Sequence, residues 1–321
     1  MKKGMLLMWV FISCFTGFNC FGQNTPPDTV YTGIYITSIH NIDFRQKEYA
    51  INLWLWLKYK KKEFDFAKNL ELPQAKSVSI SFNTVDTSDG KVYMLMKLQC
   101  VMKDSWKIAN FPFDRQNLRL SLENSQFDSS ALVFANDTIK GKQYDRFTLN
   151  GWKIDDDSFK TTIGTKVYET TFGDPKMSKP RSAYSTYRVK IGIKRDGMGL
   201  FWKMFIGMYI AFLIAYVCFF IHADSIDSRF GLSVGALFAV MANKYIIDSA
   251  LPESTSFTLV DTLHGLTLAF IFAVVTCTAY ALILVKKNKI KQANRFDIIA
   301  GQALLLLYII LNIYYISQAM R

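Results

Sequence analysis

Few residues in this chain have the types and spacing that covalent chemistry needs. Gly231-Leu232-Ser233-Val234-Gly235 has the GxSxG spacing of a nucleophile elbow. That elbow works only where a strand turns sharply into a helix, with an acid and a histidine close by. Here the motif lies inside a long apolar stretch, and the spacing alone carries no hydrolase. Asp155-Asp156-Asp157 sets three carboxylates in a row, which could offer oxygen ligands to calcium, but between strand-like segments the run reads first as a solvated turn. His40, His222 and His264 are far apart and have no cysteine or paired acid at metal-ligand spacing. His222 and His264 fall near the ends of apolar stretches, where an imidazole is an interfacial polar group or a pH sensor. No phosphate loop, dinucleotide fingerprint or zinc-protease helix occurs. The expectation is a protein that is not an enzyme and that uses no cofactor and no metal.

The elements around these residues divide the chain in two. Half of its 321 residues are apolar, but they are concentrated after about Leu200. The start, Met1-Lys2-Lys3 followed by the apolar run Leu6 to Phe15 and a polar region to Gln23, has the order of a secretory signal peptide over 1–23. Of five cysteines, Cys14 and Cys20 fall in that leader and Cys218 and Cys277 in apolar stretches. Only Cys100 is left in the exported part, which therefore closes no internal disulfide and must hold by its core.

Residues 24–196 read as an all-β sandwich of the immunoglobulin-like kind. Strand signals cover Thr29–Ile39, Tyr49–Tyr59, Ser77–Val85, Lys91–Met102, Leu118–Leu122, Leu132–Phe134, Gly151–Ile163, Thr165–Phe172 and Ala183–Ile193. Asn41-Ile42-Asp43 and Asp89-Gly90 read as turns. In the second strand Ile51, Leu53, Leu55 and Leu57 share one face and Trp54 and Trp56 the other. No amphipathic helices intervene, so the strands are expected to pair antiparallel.

Residues 197–321 read as an all-α membrane domain. Apolar segments at about 201–221, 230–251, 259–285 and 296–316 are each long enough to cross roughly 30 Å of hydrocarbon. The link between the last two carries Lys286, Lys287, Lys289, Lys291 and Arg295, which the positive-inside rule assigns to the cytoplasm. The β domain and the C-terminus then both lie outside it. The net charge of +12 is split between these topology determinants and the β domain, whereas a nucleic-acid binder needs a concentrated basic face with interleaved aromatics. No nucleic-acid partner is expected.

At this point the sequence resembles the prokaryotic branch of the pentameric ligand-gated ion channels, the Cys-loop receptor superfamily. Four passages carry the resemblance: Thr32-Gly33-Ile34-Tyr35-Ile36 through Ile42-Asp43 to Tyr49; Phe111-Pro112-Phe113-Asp114-Arg115-Gln116; Asn150-Gly151-Trp152 with Ile154; and Arg229 through Leu251-Pro252 to Thr258-Leu259-Val260-Asp261. It covers about residues 28–318. The cysteines that bracket the second passage in eukaryotic members are missing here, as in prokaryotic ones. The resemblance implies a homopentamer in a bacterial inner membrane, gated by a small molecule or by protons, with the second helix of each subunit lining a pore for permeating ions. A non-conducting membrane receptor with the same fold is the alternative.

If that helix lines a pore, spacings of three and four select one stripe: Asp227, Gly231, Gly235, Phe238, Ala242, Tyr245 and Ser249. Five copies would make an acidic ring at Asp227, which selects cations, and an apolar ring at Phe238, which gates by dewetting. The competing reading takes Gly231 and Gly235 as a small-xxx-small pair for close helix packing. The resemblance further implies that binding is coupled to gating through Asp43 and Phe44, through Phe111, Pro112, Phe113 and Asp114, through Lys194 and Arg195, and through Leu251, Pro252 and Asp261. Arg195 is expected against Asp43 or Asp114, with Lys194 as the other candidate for that position. Under a hairpin from about Phe172 to Tyr184, the aromatics Tyr168, Phe172, Tyr184 and Tyr187 are the ligand-binding candidates, in a pocket suited to a cation. Leu70-Glu71-Leu72-Pro73 resembles a loop that offers an aromatic to this site in the family; Glu71 stands there instead.

Overall fold

The computed structural model describes residues 26–137, 143–145, 147–155, 158–173, 175 and 181–321. The expected leader at 1–23, Asp156 and Asp157 lie outside them. The first two strands are β1 (Asp28–Asp43) and β2 (Glu48–Tyr59), followed by a single-turn helix α1 (Phe66–Asn69). Strands β3 (Leu70–Glu71), β4 (Ala75–Ser88), β5 (Lys91–Lys103), β6 (Arg115–Asn124) and β7 (Leu132–Asn136) come next. The domain closes with β8 (Trp152–Ile154), β9 (Lys160–Tyr168) and β10 (Ser182–Arg195).

Two sheets form, one in the order β4-β5-β2-β1-β7 and one in the order β3-β6-β10-β8, with β9 also paired to β10. The pairings are antiparallel except β1 with β7, which is parallel. Alternation builds the core as expected. Ile51, Leu53, Leu55 and Leu57 of β2 meet Leu118, Leu120 and Leu122 of β6 and Val189, Ile191 and Ile193 of β10 between the sheets. Cys100 is part of this core, and burial pushes its thiol up to about 12.

Two boundaries differ from expectation. Asn41-Ile42-Asp43 is not a turn: β1 runs through it with a register shift between His40 and Asp43, and the chain reverses at 44–47 instead. Asn41 takes φ of 52°, a conformation asparagine tolerates better than most residues, inside a bulge. The break within 151–172 falls between Ile154 and Lys160 rather than at Gly164, which pairs with Thr186 inside β9. Asp89 and Gly90 do turn β4 into β5, both at positive φ, as a two-residue hairpin requires.

Four helices follow: α2 (Gly197–Tyr216, continued by a 3-10 segment Val217–Phe220), α3 (Ile226–Ala250), α4 (Leu259–Lys286) and α5 (Ile290–Met320). Each is long and apolar enough to cross a membrane. They outrun the apolar segments at several ends because hydropathy marks the hydrocarbon depth and not the polar turns beyond it. Helix α4 starts on a capping box, Thr258 with Asp261.

Candidate functional site

Three places gather the residues singled out above. The first is one face of α3. Asp227, Gly231, Gly235, Phe238, Ala242, Tyr245 and Ser249 are all exposed, Phe238 to 64%. The opposite face buries Arg229, Ser233, Ala236, Val240 and Ile247 against the bundle. A Cβ added at Gly231 or Gly235 would meet nothing within 4 Å, so within one chain these glycines serve no close helix contact. Ser233 points inward, donates to the Arg229 carbonyl at 3.0 Å and lies 3.3 Å from the Cys218 sulfur. In the middle of a helix and closed off from solvent, it has none of the surroundings of a nucleophile.

The second place is the junction between the domains. Arg195, the last residue of β10, donates from Nε to Asp114 Oδ1 at 2.7 Å. Its guanidinium also lies over the rings of Trp152, Phe44 and Phe111, at 4.0, 4.6 and 4.9 Å. Of the alternatives left open, Asp114 is therefore the partner. Asp43 instead accepts from the Gln46 backbone N–H at 2.7 Å, and Lys194 is exposed. Gln116 Nε2 donates to the other Asp114 oxygen at 2.6 Å. Phe113 meets Phe201 of α2 at 5.5 Å between ring centroids, and the Leu259 N–H donates to the Ala109 carbonyl at 2.8 Å. The Phe111–Pro112 peptide is cis. Leu251 and Pro252 line a cavity of about 460 Å³ whose walls carry Arg45 and Lys47 above and Asp248 and Glu253 below. Asp261 caps α4 and also takes Lys244 Nζ at 2.8 Å. Residue types did not reveal Trp106, which stacks on Phe44 at 4.9 Å, or Trp152 as the third wall around Arg195.

The third place lies on β9 and β10 and the hairpin between them. Tyr168 meets Phe172 at 5.5 Å and Tyr184 at 5.9 Å, both edge to face. Tyr187 does not join them. It lies three residues beyond Tyr184 on a strand, so it points to the other side. It is 1% exposed in the core, and burial pushes its hydroxyl up to about 12. The new member is Glu123, a buried carboxylate that accepts from Tyr168 Oη at 2.8 Å and Thr186 Oγ1 at 3.0 Å. Burial and the bond to Glu123 push the Tyr168 hydroxyl up, so it stays a donor. Glu71 is the cross-strand partner of Glu123, which sets like charges side by side. The tip of the hairpin falls largely outside the described residues.

The described residues contain no group of three or more His, Cys, Asp or Glu that could hold a metal ion. No family model matches the chain. Among curated proteins, the chain is 24% identical to a proton-gated ion channel of Gloeobacter violaceus over 269 residues, which is 78% of this chain and 71% of that protein.

Proposed function

We propose that the chain is one subunit of a homopentameric, ligand-gated, cation-selective channel. It would reside in the inner membrane of a bacterium, with residues 24–196 and the C-terminus outside the cytoplasm and a leader removed at about residue 23. The observation that carries this reading is the face of α3. A transmembrane helix whose exposed stripe holds a carboxylate, two glycines, a phenylalanine, a tyrosine and a serine has no reason to show that stripe to lipid. Five such helices around an axis would cover it. Asp227 then forms the cation-selecting ring and Phe238 the apolar gate.

Two open flanks of the β domain support assembly into a ring. β4 is an edge strand exposed along almost its whole length, with Val78, Ile80, Phe82 and Val85 showing. β9, on the other sheet, shows Ile163 and Val167. A head-to-tail contact between two different faces closes into a ring when the rotation allows it.

The effector site is read at Tyr168, Phe172 and Tyr184. A buried Glu123 beside Glu71, under aromatic edges and faces, suits a cationic effector, whose charge would relieve the opposed carboxylates. Protons are the gating ligand named for the Gloeobacter relative. Binding would shift a closed–open equilibrium through the Arg195–Asp114 junction to the α3–α4 link. A non-conducting receptor is the second reading, favoured by one observation: the stripe offers no polar side chain at Gly231 or Gly235.

Voltage-clamp recording of wild type and Phe238→Ala, with ion substitution, tests this without knowledge of the ligand. A leak in the variant alone that reverses with sodium supports the gated cation channel. Pentamers at the surface that pass no current in either form would move the reading to the non-conducting receptor. A reversal potential that follows chloride would refute cation selectivity.

A further inference from the structure

The inner end of the membrane domain holds a contact that the pore reading leaves unused. Arg229, in the first turn of α3, is 1% exposed. Its Nη2 donates to Oδ2 of Asp297 on α5 at 2.6 Å, and Asp297 is itself buried. Its Nε donates to the carbonyl of Ile221 at 3.1 Å, just past the 3-10 segment that ends α2. The Arg229 carbonyl accepts from Cys218 Sγ at 3.1 Å. The start of α3 is thus tied to the end of α2 and to α5. Ser225, at the N-cap position, makes no side-chain cap bond, so this contact supplies the anchoring that a cap would otherwise give.

Helix geometry turns the anchor into a rotational reference. Successive residues lie about 100° apart, so a residue two positions away faces nearly the opposite side. Burying Arg229 therefore throws Asp227 outward. Ile226, Asp227 and Ser228 are all exposed, and Arg229 is the first buried residue of the helix. We propose that Arg229 and Asp297 are positioning residues for ion selection: their buried pair fixes the rotation of the inner end of α3 and so holds Asp227 toward the pore axis. The proposal rests on the channel reading; Asp297 meets no ion itself.

Position and electric field can be separated, because the pair is neutral as a whole. Removing Asp297 alone would leave an extra positive charge near the Asp227 ring. Replacing both partners with apolar residues of similar volume removes the anchor and leaves the net charge unchanged, and such replacements are often tolerated by the fold.

The test uses the full-length Phe238→Ala channel as background. The sodium-to-chloride permeability ratio is measured with and without Arg229→Met/Asp297→Leu. In parallel, Asp227→Cys, with Cys277 replaced by serine, is labelled by a charged, membrane-impermeant thiol reagent applied from the cytoplasmic side. The double replacement is expected to conduct with a permeability ratio reduced severalfold and to slow the labelling of Asp227→Cys severalfold. Conducting channels with an unchanged ratio and unchanged labelling overturn the proposal. If the double replacement does not assemble, Arg229→Lys and Asp297→Glu are read in its place. A shift in both readouts in these charge-preserving variants supports the proposal, and no shift in either overturns it. A Phe238→Ala background that passes no current while pentamers are present removes the channel reading instead, and that outcome is separate from all of these.

Discussion

Two arginine–aspartate pairs close the two ends of the helical domain, and they are built differently. At the outer end, Arg195–Asp114 is fully provided for: Asp114 takes Arg195 on both oxygens and Gln116 on one of them, and three aromatic rings surround the guanidinium. At the inner end, Arg229–Asp297 lies deeper, and Arg229 Nη1 and Asp297 Oδ1 are buried with no partner among the described residues. A buried ion pair returns the cost of desolvation only when its remaining donors and acceptors are also satisfied. The outer pair has substitutes within reach, since aromatic faces can hold a cation while its carboxylate partner shifts. The inner pair has fewer. One end is thus suited to changing partners during a transition, and the other to staying fixed.

The sharpest way to break this contrast is to remove one partner of each pair. Asp297→Ala leaves a guanidinium buried among helices, and should cost about 3–5 kcal/mol. Detergent-solubilised protein should lose its oligomer peak on size-exclusion chromatography. Arg195→Ala should cost less, about 2–3 kcal/mol, because Asp114 keeps its bond from Gln116. Assembled protein should survive with a lowered melting temperature and altered gating. Equal losses at the two ends would refute the contrast. Arg195→Lys sharpens it further: the charge remains, but the planar fork that bonds Asp114 and stacks on the rings is gone. A loss of about 1 kcal/mol is expected, visible in the same melting assay.

Gly197→Ala probes the outer end without touching a charge. A Cβ there would fall 2.1 Å from the backbone carbonyl oxygen of Pro112. Backbone cannot swing aside as a side chain can, so α2 must move away from the loop, at a cost of about 1–3 kcal/mol. Gating should change along with stability, because the same contact seats the β domain on the first membrane helix.

Much of this was legible in the sequence, and the failures have physical causes. The alternation of β2 placed Ile51, Leu53, Leu55 and Leu57 in the core, because a period of two has one solution once one face must be buried, and Tyr49 and Tyr59 on the same face are buried with them. The Arg195 contact was narrowed to two aspartates, but choosing between them needed the register of β10 against β6, where Lys194 opposes Arg115. Asn41 and Gly164 misled because residues that favour turns also serve bulges and close approaches; Gly164 lies against the Arg188 side chain. Glu123 was missed because nothing local distinguishes a buried carboxylate on a strand from an exposed one. Asp297 was missed although a signal existed: a lone acid at the start of an apolar helix, like Arg229 at the start of another, calls for a partner within the bundle.

The finest test leaves both ion pairs intact and changes only the stripe that Arg229 orients. Gly231→Ala and Gly235→Ala each add a methyl group where nothing lies within 4 Å in the single chain. Alanine favours a helix over glycine by about 1 kcal/mol, so the isolated subunit should gain stability or stay unchanged. If the stripe lines a pore, five added methyls narrow each ring, and the current through Phe238→Ala channels should fall while the melting temperature does not. If the glycines instead let neighbouring subunits approach closely, the same methyls should weaken assembly and leave no current to measure. A fall in conductance without loss of pentamers therefore supports the pore reading. Loss of pentamers would mean that the inner end is fixed by packing between chains as much as by the pair of Arg229 with Asp297.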